Sequence, residues 1–310
     1  MRIIFCNEND RLLNAFSTVT IHNLILRDGI LIPQTFRKGT SRQGNICEFK
    51  DSYFTRSDGF PLRLPCNLPP AGNEHLFVCL GEVLGSGRVG TVHHATLLTH
   101  HAELPPLVIK ISRYKRIEHM EKEAWFYEEL EQIQGIAVPR CYGFFQARIE
   151  EGNEVSTWKA DIAAESKEES YSACLPAPCD KIPERPVDPT LLSILLLERL
   201  GERMPLRQPL HAIESDVYEI YNDLSRLGIE HMDVRWSNIL SVLQDPNGQS
   251  LGVVCPNHGH THQWRIIDFD VARKTDGSMK YLDVCAIDWL ELLFNNLPKG
   301  RIVEPWELDL

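Results

Sequence analysis

From Leu76 onward, apolar and polar positions follow one another in short strand-like and helix-like patterns. Leu76–Leu84 predicts a strand, a glycine-rich turn follows, and Thr91 to about Leu98 predicts a second strand. Leu107–Ser112 (LVIKIS) is apolar on both sides of its one lysine, the pattern of a buried third strand. Met120, Ala124, Tyr127 and Leu130 recur at helical spacing and predict a helix over Ile117–Leu130. Leu191–Leu197 predicts another apolar strand. Ser215 stands as the N-cap of a helix that buries Val217, Ile220, Tyr221, Leu224 and Leu227, and Gly228 is placed to end it. Short strands near Ile239–Leu243 and Trp264–Ile267 flank a polar hairpin, and a last helix covers roughly Leu282–Leu293.

The remaining chain is less regular. Thr18–Pro33 predicts a hairpin turning at Asp28-Gly29, a pair that tolerates the positive φ of a tight turn. Phe36–Asn73 mixes Gly, Ser, Asn, Pro and charges and reads as loop. Residues 1–75 therefore form an N-terminal extension of unclear structure. Between about Glu150 and Pro189 the chain is first rich in Glu and Lys and then in proline (Pro176, Pro178, Pro183, Pro186, Pro189), which predicts a disordered insertion. No internal repeat is found.

Charge and cysteine content narrow the partners. A formal net charge of −11 argues against nucleic acid and anionic membrane surfaces. The longest strongly apolar stretch, Leu191–Leu197, is far below the ~20 residues of a spanning helix, and the N-terminus does not read as a secretory signal. Nine cysteines (Cys6, Cys47, Cys66, Cys79, Cys141, Cys174, Cys179, Cys255, Cys285), odd in number and irregular in spacing, fit reduced thiols in a cytoplasmic or nuclear protein.

Five features carry candidate chemistry. Gly85, Gly87 and Gly90 stand in G-x-G-x-x-G-x-V spacing ending on Val92, where the lack of Cβ atoms lets backbone N–H groups approach a polyphosphate. Because Val92–Leu98 is strand-like, a strand–loop–strand phosphate cover is favoured over a dinucleotide turn. Lys110 lies within a buried strand and needs an anion; Glu123 lies on the apolar face of the next helix and needs a cation, so each explains the other. Asp233 and Asn238, five apart in His231–Asn238 after a helix end, can aim a carboxylate at a substrate hydroxyl and an amide oxygen at a metal ion. Asp268 follows a short apolar strand in IIDFD, where it can hold Mg2+ on nucleotide phosphates.

In this order the five elements resemble those of the protein-kinase-like superfamily, over about residues 76–295 apart from the insertion. The resemblance implies an α+β bilobal fold: a small antiparallel β N-lobe with one helix over 76–199 and a mainly helical, shortened C-lobe over 200–310. It further implies an ATP- and Mg2+-dependent kinase acting on a hydroxyl acceptor, protein Ser/Thr or another. Lys110 would meet the α/β-phosphates and pair with Glu123. Asp233 would be the base, Arg235 the cation near the γ-phosphate, and Asn238 and Asp268 the metal ligands. Leu197 would guard the adenine pocket, with Glu198 and Leu200 beside it. Two other readings stand: a nucleotide-binding scaffold without catalysis, and a small-molecule kinase of the aminoglycoside- or choline-phosphotransferase type.

The departures matter too. Met232 replaces the arginine that clamps an activation-loop phosphate in many relatives, so no such phospho-switch is expected. Asp270 replaces the glycine of D-F-G, and only 42 residues follow Asp268. Separately, Cys255, His258, His260 and His262 crowd the polar hairpin at metal-ligand intervals; their spacing matches no common zinc finger, and a His-rich tip is the preferred reading.

Overall fold

The computed structural model describes residues 12–49, 53–63, 65–66, 68–99, 104–158, 188, 190–207, 210–244 and 251–302. Strands β1 (Phe16–Arg27), β2 (Ile30–Lys38), β4 (Glu74–Ser86), β5 (Gly90–Leu97), β6 (Leu107–Ser112), β7 (Cys141–Arg148) and β9 (Leu191–Glu198) form the main sheet, in the order β2-β7-β9-β6-β5-β4-β1. β1 also pairs with β2, so the sheet closes into a seven-stranded barrel, with β8 (Asn153–Val155) added on β1.

Closure comes from the N-terminal segment. An open sheet of β4–β7 and β9 would leave β4 and β7 as unpaired edges. β1 lies parallel to β4, and β2 meets β7 at Arg37–Gln146 and Lys38–Phe145. The β1–β2 turn is the expected one: Arg27 faces Ile30, and Asp28 and Gly29 have φ of 51° and 77°, as a two-residue primed turn requires. This finding overturns the bilobal expectation. Among the described residues the fold is mostly β, with three α-helices only, and not a strand lobe on a mainly helical one. Hairpin 16–38, read as part of an extension, is integral to the barrel, and the stretch after Asp268 supplies a single α-helix.

Both faces of β6 and β9 are buried, which explains their nearly unbroken apolar sequences. Inward, Ile109, Ile111, Ile194 and Leu196 meet Phe16, Val19 and Phe145 in the barrel core. Outward, Val108, Leu195 and Leu197 join a second core with Met120, Ala124 and Tyr127 of α1 (Ile117–Glu129). That core continues through Val217, Ile220 and Leu224 of α2 (His211–Arg226) to Leu290 and Leu293 of α3 (Met279–Asn296). Each such large apolar side chain contributes about 1.5–3 kcal/mol on full burial. Lys110 lies on the outward face, opposite Val92 of β5 and Leu195 of β9.

Helix ends differ in part from expectation. α2 begins at His211, with Leu210 at the N-cap and no side-chain cap, so Ser215 sits inside the helix rather than at its start. Its end is as read: Gly228 follows with φ of 66°. Ser278 caps α3, its Oγ accepting from the Tyr281 N–H at 3.3 Å.

The segment after β2 crosses to the helical side. β3 (Asn45–Cys47) pairs parallel with β13 (Arg273–Thr275), which also pairs with β10 (Ile229–Glu230). Arg56 donates to the carbonyl oxygens of Gly277 and Ser225, so β3 and Arg56 both lie along the chain that follows Asp268. Of the expected insertion, residues 159–187 and 189 lie outside the described residues, as do Cys6, Cys174 and Cys179. Its first part is built into the fold: Trp158 is buried and its indole N–H donates to the Ser112 carbonyl at 2.8 Å. The six described cysteines are all free thiols. No helix among the described residues is long and apolar enough to cross a membrane.

Candidate functional site

Lys110 and Glu123 meet as their burial demands. Lys110 Nζ lies 2.9 and 2.7 Å from the two Glu123 oxygens and 2.7 Å from Asp268 Oδ1. Lys110 is 7 % and Glu123 1 % exposed, so neither charge is stabilised by water. β6, the helix α1 that follows it and, from far along the chain, the turn after β12 (Trp264–Ile266) thus converge on one ammonium. Burial works against the Lys110 charge, but Asp268, Glu123 and Asp270 outweigh it and its pKa is raised. For Asp268, burial is likewise outweighed by Lys110, and its carboxyl is held below the usual range. Glu123 is pushed up to about 7, by burial first and then by Asp268 and Asp270 against the pull of Lys110.

Gly85, Gly87 and Gly90 sit where β4 turns into β5, with the Gly87 N–H donating to the Gly90 carbonyl at 2.9 Å. Their reasons for being glycine differ. A Cβ on Gly90 would stand 2.4 Å from the Ile111 carbonyl oxygen, so the close approach of β5 to β6 excludes it. A Cβ on Gly85 would meet nothing within 4 Å, and on Gly87 only a contact at 3.9 Å. None of the three needs a positive φ. Internal packing therefore does not account for Gly85 or Gly87.

Asp233 and Asn238 share one tight loop. Asn238 Nδ2 donates to the Asp233 backbone oxygen at 3.1 Å and to its Oδ2 at 2.9 Å, and Arg235 Nε donates to Oδ1 at 2.7 Å. This loop is tied to the Asp268 turn twice. The Ile267 N–H donates to the Asn238 carbonyl at 3.0 Å, continuing the pairing of β11 (Ile239–Ser241) with β12. His231 Nε2 meets the Ile267 carbonyl at 2.9 Å. Met232 and Asp268 both adopt positive φ, 63° and 70°, strain of the kind that concentrates at functional sites.

Leu197 is buried against the second core. The Glu198 carboxylate is fully engaged within the protein, accepting from the Arg140 N–H at 3.0 Å and from its guanidinium at 3.1 Å. The Glu198 backbone N–H is engaged as well, donating to the Arg140 carbonyl at 2.9 Å. Leu200 follows, buried, in the extended segment after β9.

Two members of the site escape motif reading. Asp270 pairs with Arg88 from the glycine turn, so the residue that marked a departure has a partner and links that turn to the Asp268 segment. Phe269, fully buried, lies edge-on between Tyr127 of α1 at 5.7 Å and His231 at 5.0 Å, connecting the helix of Glu123 to the loop of Asp233. An arginine inside the glycine turn was the one sequence signal for the first; ring packing has none. No protein-family model matches this chain, and no curated protein is similar to it.

Proposed function

We propose that the protein is an ATP- and Mg2+-dependent phosphotransferase that moves the γ-phosphoryl group to a hydroxyl acceptor, protein Ser/Thr or another alcohol. One observation carries the reading: Lys110 Nζ lies 2.7 Å from carboxylates of both Glu123 and Asp268, beside the loop of Asp233 and Asn238. A cation, an ionised carboxylate and an oriented base at one place are what phosphoryl transfer requires, since its catalysis is mainly positioning and charge stabilisation.

The residues fit their roles chemically. Glu123 holds Lys110 charged and fixed, ready to meet phosphate oxygens. Asp268 stays ionised, and Asn238, whose Nδ2 is spent on Asp233 and whose Oδ1 accepts from the Ser237 hydroxyl at 3.4 Å, keeps a second lone pair of that oxygen for a metal. Held by Asp268 and Asn238, Mg2+ would supply positive charge to the nucleotide phosphates. The acceptor oxygen attacks the γ-phosphorus, the bond to the β–γ bridging oxygen breaks, ADP leaves, and the hydroxyl proton passes to the Asp233 carboxylate. Arg235 and Asn238 orient that carboxylate beforehand.

A nucleotide-binding scaffold without transfer is the rival, favoured by the engagement of both Asp233 oxygens. ATP binding followed by thermal shift, with and without Mg2+, tests the common part. At 100 times its Kd the ligand stabilises by about 2.7 kcal/mol, and Asp268→Ala is expected to lose the Mg2+-dependent part. No shift at millimolar ATP would end the proposal. Asp233→Ala separates the two readings: ATP binding retained with transfer lowered by about 10²–10⁴-fold supports the enzyme, and no transfer by wild type to any hydroxyl acceptor supports the scaffold.

A further inference from the structure

The polar hairpin before β12 buries groups that a solvent-facing tip ordinarily leaves in water. Cys255 and His262 are 0 % exposed, and Asp223, which faces them from α2, is 1 % exposed. The tip itself is built by backbone bonds: the Cys255 N–H donates to the His260 carbonyl, and the Gly259 N–H donates to that of Cys255, both at 2.8 Å. Gly259 has φ of 75°, which lets the chain reverse between His258 and His260.

Four atoms converge inside it. Cys255 Sγ lies 3.2 Å from Asp223 Oδ2 and 3.3 Å from His258 Nδ1, and His258 Nδ1 lies 3.3 Å from His262 Nε2. Asp223 Oδ2 is 3.7 Å from both His258 Nδ1 and His262 Nε2, and all four atoms lie within 4.8 Å of one another. Ligands about 2.0–2.3 Å from a zinc ion at the corners of a tetrahedron stand about 3.3–3.8 Å apart. Hydrogen bonding needs donor–acceptor pairs; it does not need four atoms each facing the other three.

We propose that Asp223, Cys255, His258 and His262 form a structural Zn2+ site. A thiolate, two imidazoles and one carboxylate make a closed tetrahedral set, and the thiolate selects zinc over magnesium or calcium. Its outer partners are in place. His262 Nδ1 lies 2.6 Å from Asp216 Oδ1, which fixes Nε2 as the ligand nitrogen, and Asn257 Nδ2 donates to the other Asp223 oxygen at 2.6 Å. Asp216 is itself held by the N–H groups of Gln263 at 2.7 Å and Trp264 at 3.2 Å.

This ligand set differs from the one the sequence suggested. His260 turns outward, 48 % exposed, and meets Glu219 at 3.0 Å; its place is taken by Asp223, contributed by α2. The ion pins α2, which leads through Gly228 to Asp233, against the hairpin that leads through β12 to Asp268. The assignment stands apart from the phosphotransferase proposal, because its geometry uses none of that site's residues.

Metal analysis and melting of the full chain test it, with wild type compared with Cys255→Ser and His258→Gln after loading with Zn2+ and removal of excess. Cys255→Ser keeps an O–H donor toward Asp223, so a cluster held by hydrogen bonds alone tolerates it, whereas a thiolate-ligated ion does not. About one zinc per wild-type chain is expected, with marked loss in both variants. A chelator then lowers the wild-type Tm by at least about 5 °C. Cobalt loaded into wild type gives the visible bands of a tetrahedral thiolate-ligated ion, a readout that stands even where a variant fails to fold. Loaded wild type with no zinc, a Tm indifferent to chelator and no such bands is a hydrogen-bonded cluster only, and overturns the assignment.

Discussion

The clusters around Lys110 and around Cys255 both bury several polar side chains, but they balance charge differently. Around Lys110 the carboxylates of Glu123, Asp268 and Asp270 face two cations of the protein itself, Lys110 and Arg88. Around Cys255 four ligand atoms face one another; Arg226 reaches only the outer Asp223 oxygen, at 3.9 Å, and Arg265 donates to the His262 carbonyl at 2.9 Å rather than to a ligand atom. A cluster that contains its own cations can hold its shape before a ligand arrives and then exchange partners with it, as a site that binds and releases substrate must. A cluster of four ligand atoms that face one another suits a permanent ion, as a structural clamp does.

Removing the internal cation is the strongest way to break this contrast. Lys110→Met strands Glu123 in apolar surroundings and is expected to cost about 3–5 kcal/mol, read by urea unfolding. The double variant Lys110→Met/Glu123→Leu should recover much of that loss, since the orphaned carboxylate goes as well. A chelator should leave the difference between these variants and wild type unchanged. If Lys110→Met unfolds like wild type, the buried pair is not what holds α1 against the barrel.

Acid sharpens the comparison on the cationic rim. His119 on α1 is held down to about 4, by burial first and then by Arg88, Lys122, Arg116 and Lys110. Its folded pKa lies below the unfolded value near 6.5, so the unfolded chain takes up a proton that the folded one refuses. Stability from this group is therefore intact above about pH 6.5 and falls as pH drops toward 4, by up to about 3 kcal/mol. His119→Gln should flatten that part of the Tm-against-pH curve and leave neutral pH nearly unchanged. An unaltered acid limb would show that His119 titrates normally.

The smallest expected effect separates glycines. Gly90→Ala meets the Ile111 carbonyl and should destabilise by about 1–3 kcal/mol. Gly85→Ala meets nothing, so its stability should stay within about 0.5 kcal/mol of wild type while its affinity for ATP falls. Unchanged ATP affinity in Gly85→Ala would remove the glycine turn from the proposed site.

Much of the Lys110 cluster was legible because each residue is an anomaly in its own segment. A lysine in LVIKIS and a glutamate on the apolar face of Ile117–Leu130 each violate the local pattern, and only a partner repairs both. The pairing of Asp268 with that lysine was not expected, because Asp268 was read as a metal ligand only. Ser215 misled because capping preference acts over about 1 kcal/mol, less than the burial of residues packed one turn earlier can contribute. His260 misled because ligand spacing counts residues along the chain, whereas Gly259 reverses the backbone between His258 and His260.

By itself the sequence determined the three helices, the barrel strands other than β7, the Asp28-Gly29 turn and the Lys110–Glu123 pair, since periodicity, turn chemistry and charge in an apolar run are local properties. Only the tertiary structure decided that the first hairpin closes a barrel, that Asp270 finds Arg88 and that Asp223 completes the Cys255 set. Strand partners more than 100 residues apart, as Arg37 and Gln146 are, and ligands 32 apart, are joined by packing, and no short window of sequence contains both partners.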